Sequence, residues 1–294
     1  MDVTRQKSHA STAQISNPDL HPNLAKIRHV ALDLDGTIYK GGTLFPFTLS
    51  FLKLLAQLNI GHTFLTNNSS KSPRDYLAHL RRMGIDATRE QIYTSADSTI
   101  LYLHENYANV RRIFVLGTES LQQQFREAGF EVLPDDTSPK LVIVGYDPNL
   151  PHDRLCKAAW WVKNGIPYIA THPDRICPTD QPTLLVDCGA ICACIESATG
   201  IAPAAILGKP DPIMLRGIMQ RHKLSPNELA MVGDRLYTDM EMARRSGAVS
   251  VLVLSGETTA EQARQHREQL DFTLASIESL GEMLQSCHSA GNAM

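Results

Sequence analysis

The chain has 294 residues, 43% of them hydrophobic, and its 28 Lys and Arg against 31 Asp and Glu leave a formal net charge of −3. That size allows one large core or two modest ones, and the near balance of charge excludes the basic footprint of a partner for a nucleic-acid polymer or an anionic membrane. No run approaches the roughly 20 apolar residues of a membrane span, and the opening Met1-Asp2-Val3-Thr4-Arg5-Gln6-Lys7 lacks the apolar segment of a secretory signal, so a cytoplasmic protein acting on a small ligand is expected.

Residues 1–24 are polar and without apolar periodicity, which predicts a flexible tail. From Ile27 onward, short β-rich runs alternate with helical patterns. Strands are expected at His29–Leu34, His62–Thr66, Gln91–Thr94, Ile113–Leu116, Leu141–Val144, Tyr168–Thr171, Ala204–Leu207, Leu229–Val232 and Ser250–Leu254. Helical spacing occupies Leu49–Leu58, Pro73–Met83, Ser120–Ala128 and Arg154–Asn164, with Gly61, Gly84, Gly129, Gly165 and Gly247 read as helix stops. The alternation predicts an α/β fold with a largely parallel sheet. Trp160 and Trp161 are assigned to core packing. The six cysteines show no paired framework and read as reduced thiols.

The first strand closes on Asp33-Leu34-Asp35-Gly36-Thr37, two carboxylates one residue apart running into a glycine turn. Taken alone, Asp-Gly marks an ordinary solvated turn. Later strands end on Thr66 and Asn67, on Lys209 and on Asp234, and strand ends of an open parallel sheet share one edge, where ligands bind. The interval from Asp33 to Thr66 suits one strand-helix unit, as does that from Lys209 to Asp234. The interval from Thr66 to Lys209 is far too long for one connection, so a second module is inserted there. The boundaries are drawn at 25–96 and 201–294 for a discontinuous core and 97–200 for the insertion.

In order, Asp33-Leu34-Asp35-Gly36-Thr37, Leu65-Thr66-Asn67-Asn68-Ser69, Gly208-Lys209-Pro210 and Gly233-Asp234-Arg235-Leu236-Tyr237-Thr238-Asp239 resemble the four motifs of the haloacid dehalogenase (HAD) superfamily. The likeness is to subfamily IIA, which contains 4-nitrophenyl, nucleotide and phosphoglycolate phosphatases. The resemblance implies a Rossmann-like core and an inserted α/β class-two cap. It also implies Mg²⁺-dependent hydrolysis of small phosphate monoesters through an aspartyl-phosphate. On this reading Asp33 is the nucleophile, Asp35 the general acid and base, and Lys209 neutralises charge. Gly36, Thr66, Asn67 and Asn68 would surround the phosphoryl group, with Asn67 using its backbone amide. Asp33, a backbone carbonyl near Asp35, and Asp234 would hold Mg²⁺, with Asp239 orienting Lys209 or a water from behind.

Gly41 and Gly42 resemble the hinges of the superfamily's hairpin flap. Thr171-His172-Pro173-Asp174 departs from the subfamily's Thr-Asn-Pro-Asp pattern at His172, and both His172 and Asp174 are candidate substrate contacts. A phosphomutase, or a non-catalytic sensor of sugar phosphate or nucleotide, are the alternative functions. The intact acid pair favours an enzyme. Nucleotide, sugar phosphate, phosphoglycolate and pyridoxal phosphate all stay open as substrates, and a homo-oligomer is compatible with the sequence.

Overall fold

The computed structural model describes residues 15–16, 21–179 and 181–291. Its larger sheet runs Ile15–Ser16, Phe272–Leu274, Val249–Val253, Leu229–Gly233, His29–Asp33, Gly61–Thr66, Ile92–Thr94, parallel except for the antiparallel Ile15–Ser16 edge. The three central strands His29–Asp33, Leu229–Gly233 and Val249–Val253 are buried at every position. This is why they read as continuous apolar runs rather than alternating ones. One face packs under Phe51, Leu55, Leu280 and Leu284, and the other under Met214, Ile218, Met242 and Ala243. Full burial of each such side chain contributes roughly 1.5–3 kcal/mol.

The inserted module has its own parallel sheet, ordered Ala205–Ile206, Tyr168–Ala170, Leu141–Val144, Arg112–Leu116, Glu131–Val132. The helices Glu119–Glu127 and Ser95–Asn106 cover one face, and His152–Lys163 and Cys188–Thr199 the other. Two small hairpins complete the architecture. Tyr39–Lys40 pairs with Thr43–Leu44 around Gly41 and Gly42, and Ile176–Cys177 pairs with Leu185–Val186. No helix among the described residues is long and apolar enough to cross a membrane.

Several sequence expectations are corrected. Within the stretch read as a tail, Ile15–Ser16 extends the core sheet and His21–Leu24 is helical with Leu24 fully buried; residues 1–14 and 17–20 of that reading lie outside the described residues. Ala205–Ile206 joins the cap sheet and not the core sheet. Lys209 therefore enters the core from the cap. Gly61 opens a strand; the left-handed residue after the helix Thr48–Gln57 is Asn59, at φ 56°. Trp160 is 58% exposed, whereas Trp161 packs against the cap core. No disulfide forms among the described residues, with Cys188 and Cys192 buried and Cys156 and Cys194 exposed.

Candidate active site

The parallel register brings the chemistry together. Leu32 lies opposite both Phe64 and Val232, so the residues just beyond, Asp33, Thr66 and Asp234, emerge on one sheet edge. After Asp33 the chain turns at once: Thr37 and Ile38 amides return to the Leu34 carbonyl, and the Gly36 amide donates to the Tyr39 carbonyl. Gly36 sits at φ 84°, and a Cβ there would collide with the Asp234 carboxylate, so only glycine lets these two loops approach.

Lys209 Nζ contacts Asp33 Oδ1 and lies 2.7 Å from Asp239 Oδ1. All three residues are buried. Burial opposes the ammonium charge, but Asp239 and then Asp33 outweigh it and raise the Lys209 pKa. Asp33, Asp234 and Asp239 bring carboxylate oxygens within 4.8 Å of one another. Asp234 and Asp239 are both pushed above the ordinary carboxylate range, mainly by burial; Asp33 adds to each shift and Lys209 opposes it.

One lysine does not balance three buried carboxylates, and Asp234 Oδ1 is buried with no hydrogen-bond partner among the described residues. An all-oxygen donor set with surplus negative charge and an orphaned oxygen fits a hard divalent cation. Asp35 is not part of this cluster; it is exposed and lines the space between core and cap. Partial desolvation and the Asp33 charge raise its pKa, against the opposing pull of Arg235.

The Thr66-Asn67-Asn68 loop is held by its own side chains. Thr66 Oγ1 accepts from the Asn68 amide at 3.2 Å, and Asn68 Oδ1 accepts from the Ser70 amide at 2.9 Å. Asn67 plays a part unforeseen in the sequence: its side chain clamps the Lys209 backbone, Oδ1 accepting from N at 2.7 Å and Nδ2 donating to O at 3.0 Å. The same Nδ2 donates to Asp174 Oδ2 of the cap at 3.0 Å.

Asp33, Asp35, Thr66, Asn67, Asn68 and Lys209 line a chamber of about 110 Å³ between core and cap. The cap contributes Asp174, Cys177, Pro178 and Asp187 to its wall. His172 does not reach the chamber; it is fully buried behind it, bonded to Asp187. A wider cavity of about 400 Å³ adjoins, sharing Asp174, Pro178, Arg235 and Thr238 and adding Arg175 and Tyr237.

Sequence reasoning missed Tyr76, Cys177, Asp187 and Arg235, all on the chamber wall, and the loop Ser255-Gly256-Glu257. That loop braces the site: Ser255 Oγ donates to the Gly36 carbonyl at 2.7 Å, and the Glu257 amide donates to Asp234 Oδ2 at 2.6 Å. Its one signal was a Ser-Gly pair just beyond the strand Val249–Val253.

Residues 30–131 match the haloacid dehalogenase-like hydrolase family and residues 206–280 the HAD-hydrolase-like family. The acid sugar phosphatase of Staphylococcus aureus is 34% identical over 253 residues, covering 86% of this chain and 96% of the relative. Among solved structures, the 4-nitrophenylphosphatase of Thermotoga maritima is similar at TM-score 0.83 and 38% identity, over 88% of this chain and 98% of that one. The glycerol phosphate phosphatase of Mycobacterium tuberculosis, in complex with magnesium, gives TM-score 0.81 and 29% identity, over 88% of this chain and 78% of that one. The chain belongs to the haloacid dehalogenase superfamily, in its subfamily IIA, and is a phosphatase.

Proposed function

We propose that the protein hydrolyses small-molecule phosphate monoesters with Mg²⁺, through an aspartyl-phosphate formed on Asp33. The observation that carries this reading is the buried arrangement of Asp33 and Asp239 about Lys209 Nζ, with Asp234 beside them. Asp33, Asp234 and the backbone near Asp35 would hold the cation, with Asp239 behind Lys209. When bound, the ion supplies positive charge that offsets repulsion between a carboxylate and a dianionic phosphate.

Asp33 attacks phosphorus, and the bond to the leaving oxygen breaks in line. Lys209 keeps Asp33 oriented and balances charge on the transferring group. Asp35, its pKa raised, gives its proton to the leaving alkoxide and then takes one from the water that cleaves the acyl phosphate, releasing inorganic phosphate. The Thr66 hydroxyl and neighbouring backbone amides hold the phosphoryl oxygens. The small chamber suits a phosphoryl group, with the cap above it shielding the acyl phosphate from bulk water.

Phosphate release from 4-nitrophenyl phosphate in labelled water tests this reading. We expect Mg²⁺-dependent release carrying one solvent oxygen, absent in Asp33→Asn. Transfer of phosphoryl to a second substrate hydroxyl without solvent label would indicate a mutase, and no release from any monoester would indicate a sensor.

A further inference from the structure

The cap wall of the chamber is built around a buried charge pair that the reaction itself does not use. Asp187 is 2% exposed yet lines the chamber. Its Oδ1 is fully engaged, accepting from the Cys188 amide at 2.6 Å and lying 2.9 Å from His172 Nε2. Its Oδ2 makes no hydrogen bond among the described residues.

His172 is locked from behind. Its Nδ1 lies 2.9 Å from Thr171 Oγ1, and that hydroxyl donates to Ser69 Oγ of the core loop at 3.2 Å. Both ring nitrogens thus face an oxygen, a setting that favours a charged ring. Burial opposes that charge, but the Cys188 sulfur and the Asp187 carboxylate outweigh it and hold the pKa up at about 9. The Asp187 carboxylate paired in this way is fixed at the head of the helix Cys188–Thr199. The turn bearing Asp174 packs against the same helix end: the Gly189 amide donates to the Asp174 carbonyl at 2.7 Å, and a Cβ on Gly189 would strike the Pro173 carbonyl.

The charges of the chamber wall are therefore one-sided toward the cap. Its two cations are already paired, Lys209 with Asp33 and Asp239 and Arg235 with Glu257 at 2.9 Å. Arg175 lies outside, in the adjoining cavity. A short leaving group thus meets Asp174 and Asp187 and no uncommitted cation.

We propose that Asp187, positioned by His172, is the residue through which the cap reads the leaving group, and that it selects short neutral leaving groups bearing hydroxyls over those carrying a second anion. This rests on the phosphatase reading above. A hydroxyl donates to Asp187 Oδ2, whereas a carboxylate in that place is repelled by it and has no donor of its own.

The test compares kcat/KM for glycerol phosphate and phosphoglycolate, with 4-nitrophenyl phosphate as a reference, in wild type, Asp187→Asn, Asp187→Ala and His172→Asn. Wild type is expected to favour glycerol phosphate. In Asp187→Asn, which keeps an oxygen for His172 and turns an amide donor to the chamber, the glycerol phosphate to phosphoglycolate ratio falls roughly tenfold to a hundredfold. His172→Asn shifts it in the same direction by less. A merely structural role would lower all three substrates together and leave the ratio where it was. An unmoved ratio, or a wild type that prefers phosphoglycolate, overturns the proposal. Wild type inactive on 4-nitrophenyl phosphate as well would overturn the phosphatase reading on which it stands. If the Asp187 variants do not fold, as melting curves would show, the wild-type preference and His172→Asn still decide.

Discussion

Asn67 and Lys209 are joined twice, side chain to backbone, by hydrogen bonds of 2.7 Å and 3.0 Å. The lysine that faces Asp33 is thus held by the loop that follows the neighbouring strand. Asn67→Ala leaves the buried Lys209 amide without its acceptor and frees the ammonium to drift. We expect kcat on 4-nitrophenyl phosphate to fall roughly tenfold to a hundredfold with a smaller change in KM. A change confined to KM would show that Asn67 serves binding only.

The proton role of Asp35 is separable by leaving group. Glycerol phosphate releases a basic alkoxide that needs a proton, whereas nitrophenolate departs without one. Asp35→Asn should therefore lower kcat about a hundredfold to ten-thousandfold on glycerol phosphate and distinctly less on 4-nitrophenyl phosphate. Equal losses on the two substrates would assign Asp35 to positioning.

The carboxylate cluster should be relieved by a divalent cation. Mg²⁺ binding the folded chain alone stabilises it by about 2.7 kcal/mol at a hundredfold excess over its Kd, seen as a rise in Tm that a chelator reverses. Asp234→Asn should raise the Tm of the metal-free protein, because it removes one of three crowded negative charges, and should abolish most of the response to Mg²⁺. An undiminished response would exclude Asp234 as a ligand.

At the opposite end of the sheet, His29 stacks on His222 with ring centroids 4.2 Å apart, and its Nε2 lies 2.8 Å from Thr63 Oγ1. Burial, then the neighbouring His222, His62 and Arg221, lowers the His29 pKa from 6.5 to about 3. Below pH 6.5 the unfolded chain takes up this proton and the folded chain does not. The His29 contribution is complete above pH 6.5 and is lost as pH falls toward 3, on the order of a few kcal/mol. Asp234 and Asp239, with raised pKa values, act in the opposite sense, so the comparison is made against a variant. Denaturation of wild type and His29→Gln at neutral pH and near pH 4.5 should show the larger acid loss in wild type. Equal losses would remove His29 from the account.

Much of the core was legible because its signals are local. Val30-Ala31-Leu32 before Asp33 and Ala230-Met231-Val232 before Gly233 and Asp234 are buried parallel strands, and they announce both the strand and the residue at its end. Ala205–Ile206 was misassigned to the core sheet because two residues give no periodicity, and which sheet they join depends on pairing with Tyr168–Ala170. Ile15–Ser16 was missed for the same reason.

By itself the sequence determined the reaction class: acids, a threonine, a lysine and further acids follow strand ends in a fixed order, and their chemistry is carried by residue type. Tertiary structure alone decided what faces what. The Asn67 clamp on Lys209, the Gly256 loop beside Asp234 and the pairing of His172 with Asp187 join residues carried by different elements. Such contacts leave no spacing to read, because they arise where strand ends and a cap converge. The residue-type pattern thus records the phosphoryl transfer, while the preference for one leaving group over another is set by a buried pair that only folding assembles.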